Sequence, residues 1–179
     1  MQRQNNLVIL KDNNWLQKQR IAGKCVSDIL SSISEVIKDK QPNLSLKDLE
    51  YIADKQIKLD GLNPIFKGYK GFPSSICLSV NKQIVHGIPS DYILKEGDVV
   101  KFDTGASLDG VIADAASTEI YGEAKDKSHI ELVKVCKEAL NQAIKSIKVG
   151  NKIGCIGYAI HKYVTSNSRF NIILNYGGH

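Results

Sequence analysis

The stretch Val99-Val100-Lys101-Phe102-Asp103-Thr104-Gly105, followed by Leu108-Asp109-Gly110 and Val111-Ile112-Ala113-Asp114, decides the fold. Two β-rich runs each end on a carboxylate, Asp103 and Asp114, and the Asp-Gly pair between them supplies a turn. An antiparallel hairpin here could bring the two carboxylates side by side. Carboxylates held that close resist ionising together unless a cation sits between them. A metal site is one reading; a pair of solvated turn acids, of the kind Asp109 represents, is the other.

Upstream, Ile84-Val85-His86-Gly87-Ile88-Pro89 reads as a short strand running into a tight turn. Before it, Phe66-Lys67-Gly68-Tyr69-Lys70-Gly71-Phe72-Pro73 sets two glycines and a proline among three aromatics, which predicts an irregular loop. Such a loop can turn Phe66, Tyr69, Phe72 and Cys77 toward an apolar pocket, or simply pin itself to the core by its aromatics. Further back, apolar residues from Ala22 to Ile37 recur at helical spacing from about Asn14 onward. Ser45 stands as an N-cap with Asp48 at the capping-box position, opening a second helix that stops at Gly61.

Downstream of Gly122 the order of elements repeats. An amphipathic helix is predicted over 128–148, a second over 153–166, and Phe170-Asn171-Ile172-Ile173-Leu174 is a β-rich run. Long helix, break, shorter helix and an irregular or extended segment match residues 14–72, displaced by roughly 110 residues; the elements repeat without sequence identity. The boundaries expected are a polar arm over 1–12, a first half over 13–122 and the start of a second half over 123–179.

Composition excludes several classes. The chain of 179 residues fits one domain, long enough to bury a core without staples. Its four cysteines, Cys25, Cys77, Cys136 and Cys155, form no CxxC pair, which argues against a zinc finger or a disulfide framework. No signal peptide or run of 18 apolar residues is present, so the expectation is a cytoplasmic protein with no membrane partner. The net charge of +5 reads as spread along the chain, more a matter of solubility than of an anionic partner such as ribosomal RNA.

Taken together, Gly68-Tyr69-Lys70-Gly71-Phe72-Pro73, Ser79-Val80-Asn81, His86-Gly87-Ile88-Pro89, Gly97-Asp98, Asp103 and Asp114-Ala115-Ala116-Ser117-Thr118 resemble the ordered motifs of type I methionine aminopeptidases. Tyr176-Gly177-Gly178-His179 resembles the opening of that family's next motif. The resemblance implies an α+β "pita-bread" fold of creatinase/aminopeptidase type, two pseudo-symmetric helix-plus-antiparallel-strand halves around a two-metal site. It implies removal of the initiator methionine from nascent polypeptides by a monomeric enzyme, near the ribosome surface and without specific nucleic-acid binding. By the same resemblance Asp103, Asp114 and His179 are metal ligands, with Asp114 bridging two divalent ions (Co, Mn, Fe or Zn). His86 contacts substrate and steadies the developing tetrahedral charge, while Phe66, Tyr69, Phe72 and Cys77 line the methionine pocket. The family also needs two glutamates beyond the Gly-His motif, which places this chain as a C-terminally truncated member with an incomplete shell of its own. The alternatives are a non-catalytic peptide- or RNA-binding fragment of the same fold, or a related proline-specific aminopeptidase.

Overall fold

The computed structural model of the protein describes residues 10–177, so most of the polar arm and His179 lie outside the described residues. The chain divides into two compact units, residues 1–123 and 124–179.

The first unit opens with helix α1, Asn13–Lys38. Asp12 caps it by accepting a hydrogen bond from the Trp15 amide at 2.7 Å. Its apolar residues recur every three to four positions, and Ala22, Cys25, Val26, Ile29, Ile33 and Ile37 are all buried along one stripe. Helix α2, Leu46–Leu59, starts on the capping box that the sequence predicts. The Asp48 amide donates to Ser45 Oγ at 3.2 Å and the Ser45 amide donates back to the Asp48 carboxylate at 2.8 Å.

Four strands follow: β1, Asn63–Pro64; β2, Ile76–Val80; β3, Asp98–Leu108; and β4, Val111–Tyr121. They form one antiparallel sheet with β3 at its centre. Strand β4 pairs along one side of β3, and β2 and β1 follow one another along the other side. The β3–β4 hairpin closes on Asp109 and Gly110, both at positive φ, the conformation that a tight two-residue hairpin turn requires. Side chains alternate across β3. Val100, Phe102 and Ala106 join Ile76, Leu78, Ala113 and the α1 stripe in the buried core. Each fully buried Ile or Phe of this core stabilises the fold by about 1.5–3 kcal/mol relative to exposure. Lys101, Asp103 and Gly105 therefore point to the other face. Strand β4 runs on through residues 115–121 to the Gly122 stop, as the β-rich sequence there predicts, whereas β3 is longer than its reading allows: Gly105, ordinarily a strand-ending residue, lies within it, so Asp103 is a mid-strand residue.

The His86 segment differs from its expected strand. Residues 81–97 form a loop between β2 and β3, and His86 has φ 59, which no extended strand tolerates. The loop is tied to the sheet through Asp98, a carboxylate that is 1 % exposed. Asp98 accepts from Asn81 Nδ2 at 2.9 Å, from the Tyr92 hydroxyl at 2.8 Å and from the Lys95 amide at 2.9 Å. A buried charge satisfied by three donors fixes both ends of the loop at the start of β3.

The second unit contains α3, Lys127–Ser146, and α4, Gly154–Asn167. Val135, Ala139 and Val164 form its small core, with Ile160, Tyr163, Phe170 and Ile172 packed against it. Phe170–Leu174 is irregular, one of the two forms the sequence allows, and its β-rich composition forms no strand. Phe170 and Ile172 are drawn onto the helix pair, and no strand among the described residues pairs with the segment. Charge is also distributed unlike its first reading. Residues 124–179 hold nine Lys and Arg against three Asp and Glu, whereas residues 1–123 hold fifteen against sixteen. The entire positive surplus belongs to the second unit. Among the described residues no helix is long and apolar enough to cross a membrane.

Candidate active site

Register defines the site. Across the hairpin Asp103 stands opposite Ala116, and Gly105 opposite Asp114, so the two carboxylates are diagonal neighbours on one face of the sheet. Diagonal pairs lie about 7–8 Å apart at the backbone, within reach of side chains that converge on a shared ion. On the far side of β3, Cys77 stands opposite Asp103. The face thus carries the row Cys77–Asp103–Ala116, and beside it the row Ser79–Lys101–Thr118. Ile65 packs closely over Gly105: a Cβ there would sit 2.5 Å from Ile65 Cδ1, so that side chain would have to shift.

Electrostatics marks the same spot. Burial, and then the charges of Asp103 and Asp114, push the Cys77 thiol up to about 12. That thiol is only 5 % exposed, stays protonated and is no nucleophile; it reports that both carboxylates act on one small volume. Oxygen donors with a shared negative field suit a divalent cation. Among the described residues no group of three or more His, Cys, Asp or Glu is assembled in metal-binding geometry, and His179 lies outside them.

A cavity of about 220 Å³ opens beside Asp103, walled by Cys77, Ser79, His86, Lys101 and Thr118 among others. The structure therefore brings together Asp103, Asp114, Cys77 and His86 in one region of the sheet face. Phe66, Tyr69 and Phe72 belong to the loop before β2 and are not part of this cavity wall. Phe66 and Phe72 are half-buried, whereas Tyr69 is 66 % exposed. His86 is exposed and held in a left-handed backbone conformation that costs a non-glycine residue on the order of 1 kcal/mol.

Two residues of this face receive no role from the sequence: Lys101, outside the motifs, and Ser79, inside one of them. Lys101 is half-buried, and its ammonium donates to the Asn81 carbonyl at 2.8 Å. Burial holds it below the usual lysine range. Ser79 is buried and accepts a hydrogen bond from the Gly87 amide at 2.9 Å. The period of two along β3 and β2 was the signal that could have found both, since Lys101 shares parity with Asp103 and Ser79 with Cys77.

Helix α1 packs on one face of the antiparallel sheet and two carboxylates lie on the other, an α+β build whose class comes from comparison with known proteins. Residues 17–179 match metallopeptidase family M24, and the chain belongs to that family. It is 38 % identical to the methionine aminopeptidase of Mycoplasma capricolum over 173 residues, covering 97 % of this chain and 67 % of that protein. Methionine aminopeptidase 1 of Bacillus subtilis is 38 % identical, with 97 % and 68 % covered. The crystal structure of methionine aminopeptidase from Thermotoga maritima superposes with a TM-score of 0.89 at 38 % identity, covering 97 % of this chain and 68 % of that one. An X-Pro aminopeptidase from the same organism matches at TM-score 0.69 and 18 % identity, a likeness of fold alone. The chain spans about two thirds of the length of the curated relatives it matches.

Proposed function

We propose that this protein is a metallo-aminopeptidase that removes the N-terminal initiator methionine from nascent polypeptides in the cytoplasm. The observation that carries the reading is the diagonal placement of Asp103 and Asp114 on one open sheet face, with Cys77 inside the field of both. Asp103, Asp114 and His179 would hold two divalent ions of the Co, Mn, Fe or Zn type. Ions held there supply Lewis-acid polarisation of the scissile carbonyl and an activated water as nucleophile.

The chain's own residues supply the rest. His86, on the rim of the cavity, donates to the oxygen on which negative charge develops. Cys77, uncharged and buried, contributes an apolar wall beside the carboxylates for an unbranched thioether side chain. Phe66, Tyr69 and Phe72, on the loop before β2, supply further apolar surface when substrate is bound. The positive surplus of residues 124–179 favours work close to a polyanion such as the ribosome surface, and the enzyme acts as a monomer. Identity of 25–39 % to methionine aminopeptidases, against 17–20 % to proline-specific enzymes of the same fold, favours methionine over proline specificity.

The deciding experiment uses a version of the protein that includes the family's two later glutamates, strips it of metal, titrates it with Co²⁺ and follows the visible absorption of the bound ion alongside methionine release from Met-Ala peptides. Asp103→Asn and Asp114→Asn should lose both signals. Undiminished Co²⁺ binding and turnover in either variant would remove these carboxylates from the metal shell.

A further inference from the structure

We infer that Ser79 is a positioning residue for His86, acting through a clamp on the Gly87 backbone. The inference rests on the reading that His86 contacts substrate.

His86 presents a problem of support. It is exposed, its backbone is left-handed, and its neighbours Ile84, Val85 and Ile88 are 55 %, 42 % and 56 % exposed. The hydrophobic core therefore does not hold the segment around His86 in place, although it anchors the loop further on through Leu94. A side chain in a sparsely populated backbone region persists only where the surroundings over-determine it.

The determinants are hydrogen bonds on both sides of the loop. On the far side of His86, the Gly87 amide donates to Ser79 Oγ at 2.9 Å, and the Gly87 carbonyl accepts from the Leu78 amide at 2.8 Å. Gly87 is thereby attached to two consecutive residues of β2. The approach is so close that a Cβ on Gly87 would lie 2.1 Å from the Leu78 carbonyl oxygen. On the near side, Gln83 folds back onto β2. Its Oε1 accepts from the Val80 amide at 2.9 Å and its amide donates to the Val80 carbonyl at 3.1 Å. Between these two attachments the loop has three residues, and His86 is the last of them.

Of the bonds that fix Gly87, the one to Ser79 depends on a side chain. Ser79 is 2 % exposed, so its hydroxyl spends little of its capacity on water. It lies on the site face of the sheet and, like His86, borders the cavity beside Asp103. Removing the hydroxyl frees one end of the loop and leaves the Asp103–Asp114 face intact.

The test begins with the unmodified protein, where amide exchange at Gly87 should be at least about 10²-fold slower than for an open loop. Exchange at the open-loop rate overturns the clamp without any variant having to fold. Ser79→Ala should then raise Gly87 exchange by about tenfold, the worth of one hydrogen bond, and shift the His86 imidazole resonance. It should lower kcat by about tenfold, with KM within about twofold. In a His86→Ala background the same change should cost nothing further, because a positioning residue has nothing left to position. An unmoved imidazole resonance, or additive losses in the double variant, overturns the inference. If His86→Ala alone leaves kcat unchanged, the substrate role of His86 fails instead. The exchange and resonance data then still judge the clamp independently.

Discussion

Asp103 and Asp114 meet across the β3–β4 hairpin by diagonal register, each facing a residue too small to intervene, Ala116 and Gly105. The consequence is an open strip on the sheet face where two carboxylates are the longest acidic side chains. Asn at either position keeps the shape and removes a charge. Asp103→Asn or Asp114→Asn should therefore lower metal affinity by more than about 10²-fold, the loss that follows from merely disturbing a ligand's supporting partner. Calorimetric titration with Mn²⁺ reads this directly, and affinity within tenfold of the unmodified protein would count against it.

The same pair governs the thiol of Cys77. Burial is the larger cause of its raised pKa, about 12, and the two carboxylate charges add to it. Neutralising Asp114 should lower the Cys77 pKa without changing its burial, and a bound divalent cation should lower it further. The check is the pH dependence of Cys77 alkylation, followed by mass spectrometry of the peptide that carries it. A thiolate profile that does not move in Asp114→Asn would show that the charge of Asp114 does not act on the thiol.

His86 lies on a different segment from the carboxylates, so its removal should separate chemistry from metal binding. In a version of the protein that includes the two later glutamates, His86→Ala should lower kcat on Met-Ala peptides by roughly 10²-fold or more, the scale for losing one charge-stabilising donor. Metal content by elemental analysis should stay as before. Loss of metal together with rate would instead make His86 a ligand.

Local chemistry made much of this legible in the sequence. Ser45 and Asp48 announce α2 because a capping box is written within four residues, and α1 shows its buried stripe through spacing alone. Asp103 and Asp114 were visible as acids flanking an Asp-Gly turn, and the pairing follows from the hairpin register. The His86 segment misled because Ile84, Val85 and Ile88 look like a strand, whereas the tertiary bonds to Gly87 and Gln83 impose a loop. Phe170–Leu174 misled for a related reason: apolar composition there serves a helix pair, not a sheet. In both cases a strand needs a partner, and the partner is not encoded in the segment itself.

Gly87 gives a prediction about stability. A Cβ at this position would meet the Leu78 carbonyl oxygen at 2.1 Å, and backbone cannot yield as a flexible side chain does. Gly87→Ala should cost about 1–3 kcal/mol of stability, the usual range for overpacking. Alternatively the loop detaches, stability is retained and the Gly87 amide loses its protection. Urea unfolding together with exchange at residue 87 distinguishes these, and a variant unchanged in both would contradict the close approach.

The last prediction concerns acid. Asp48 is held below the usual carboxylate range, first by its hydrogen bond with the Ser45 side chain and then by the Ser45 backbone amide. A carboxyl whose pKa is depressed on folding stabilises the folded state above its unfolded value, near 3.8. That contribution is lost as pH falls through the lower folded value. Glu96 behaves likewise, held down by the Glu123 amide and then by Lys40. The protein should therefore lose stability as pH drops below about 4.5, where these carboxylates begin to titrate in the unfolded chain. Ser45→Ala removes the N-cap and should cost about 1 kcal/mol at neutral pH. It should also flatten the acid limb, because Asp48 then titrates more nearly alike in both states. Denaturant midpoints measured from pH 3 to pH 7 test both parts. If Ser45→Ala and the unmodified protein differ by a constant amount across that range, the capping box stabilises α2 without any contribution from the charge of Asp48.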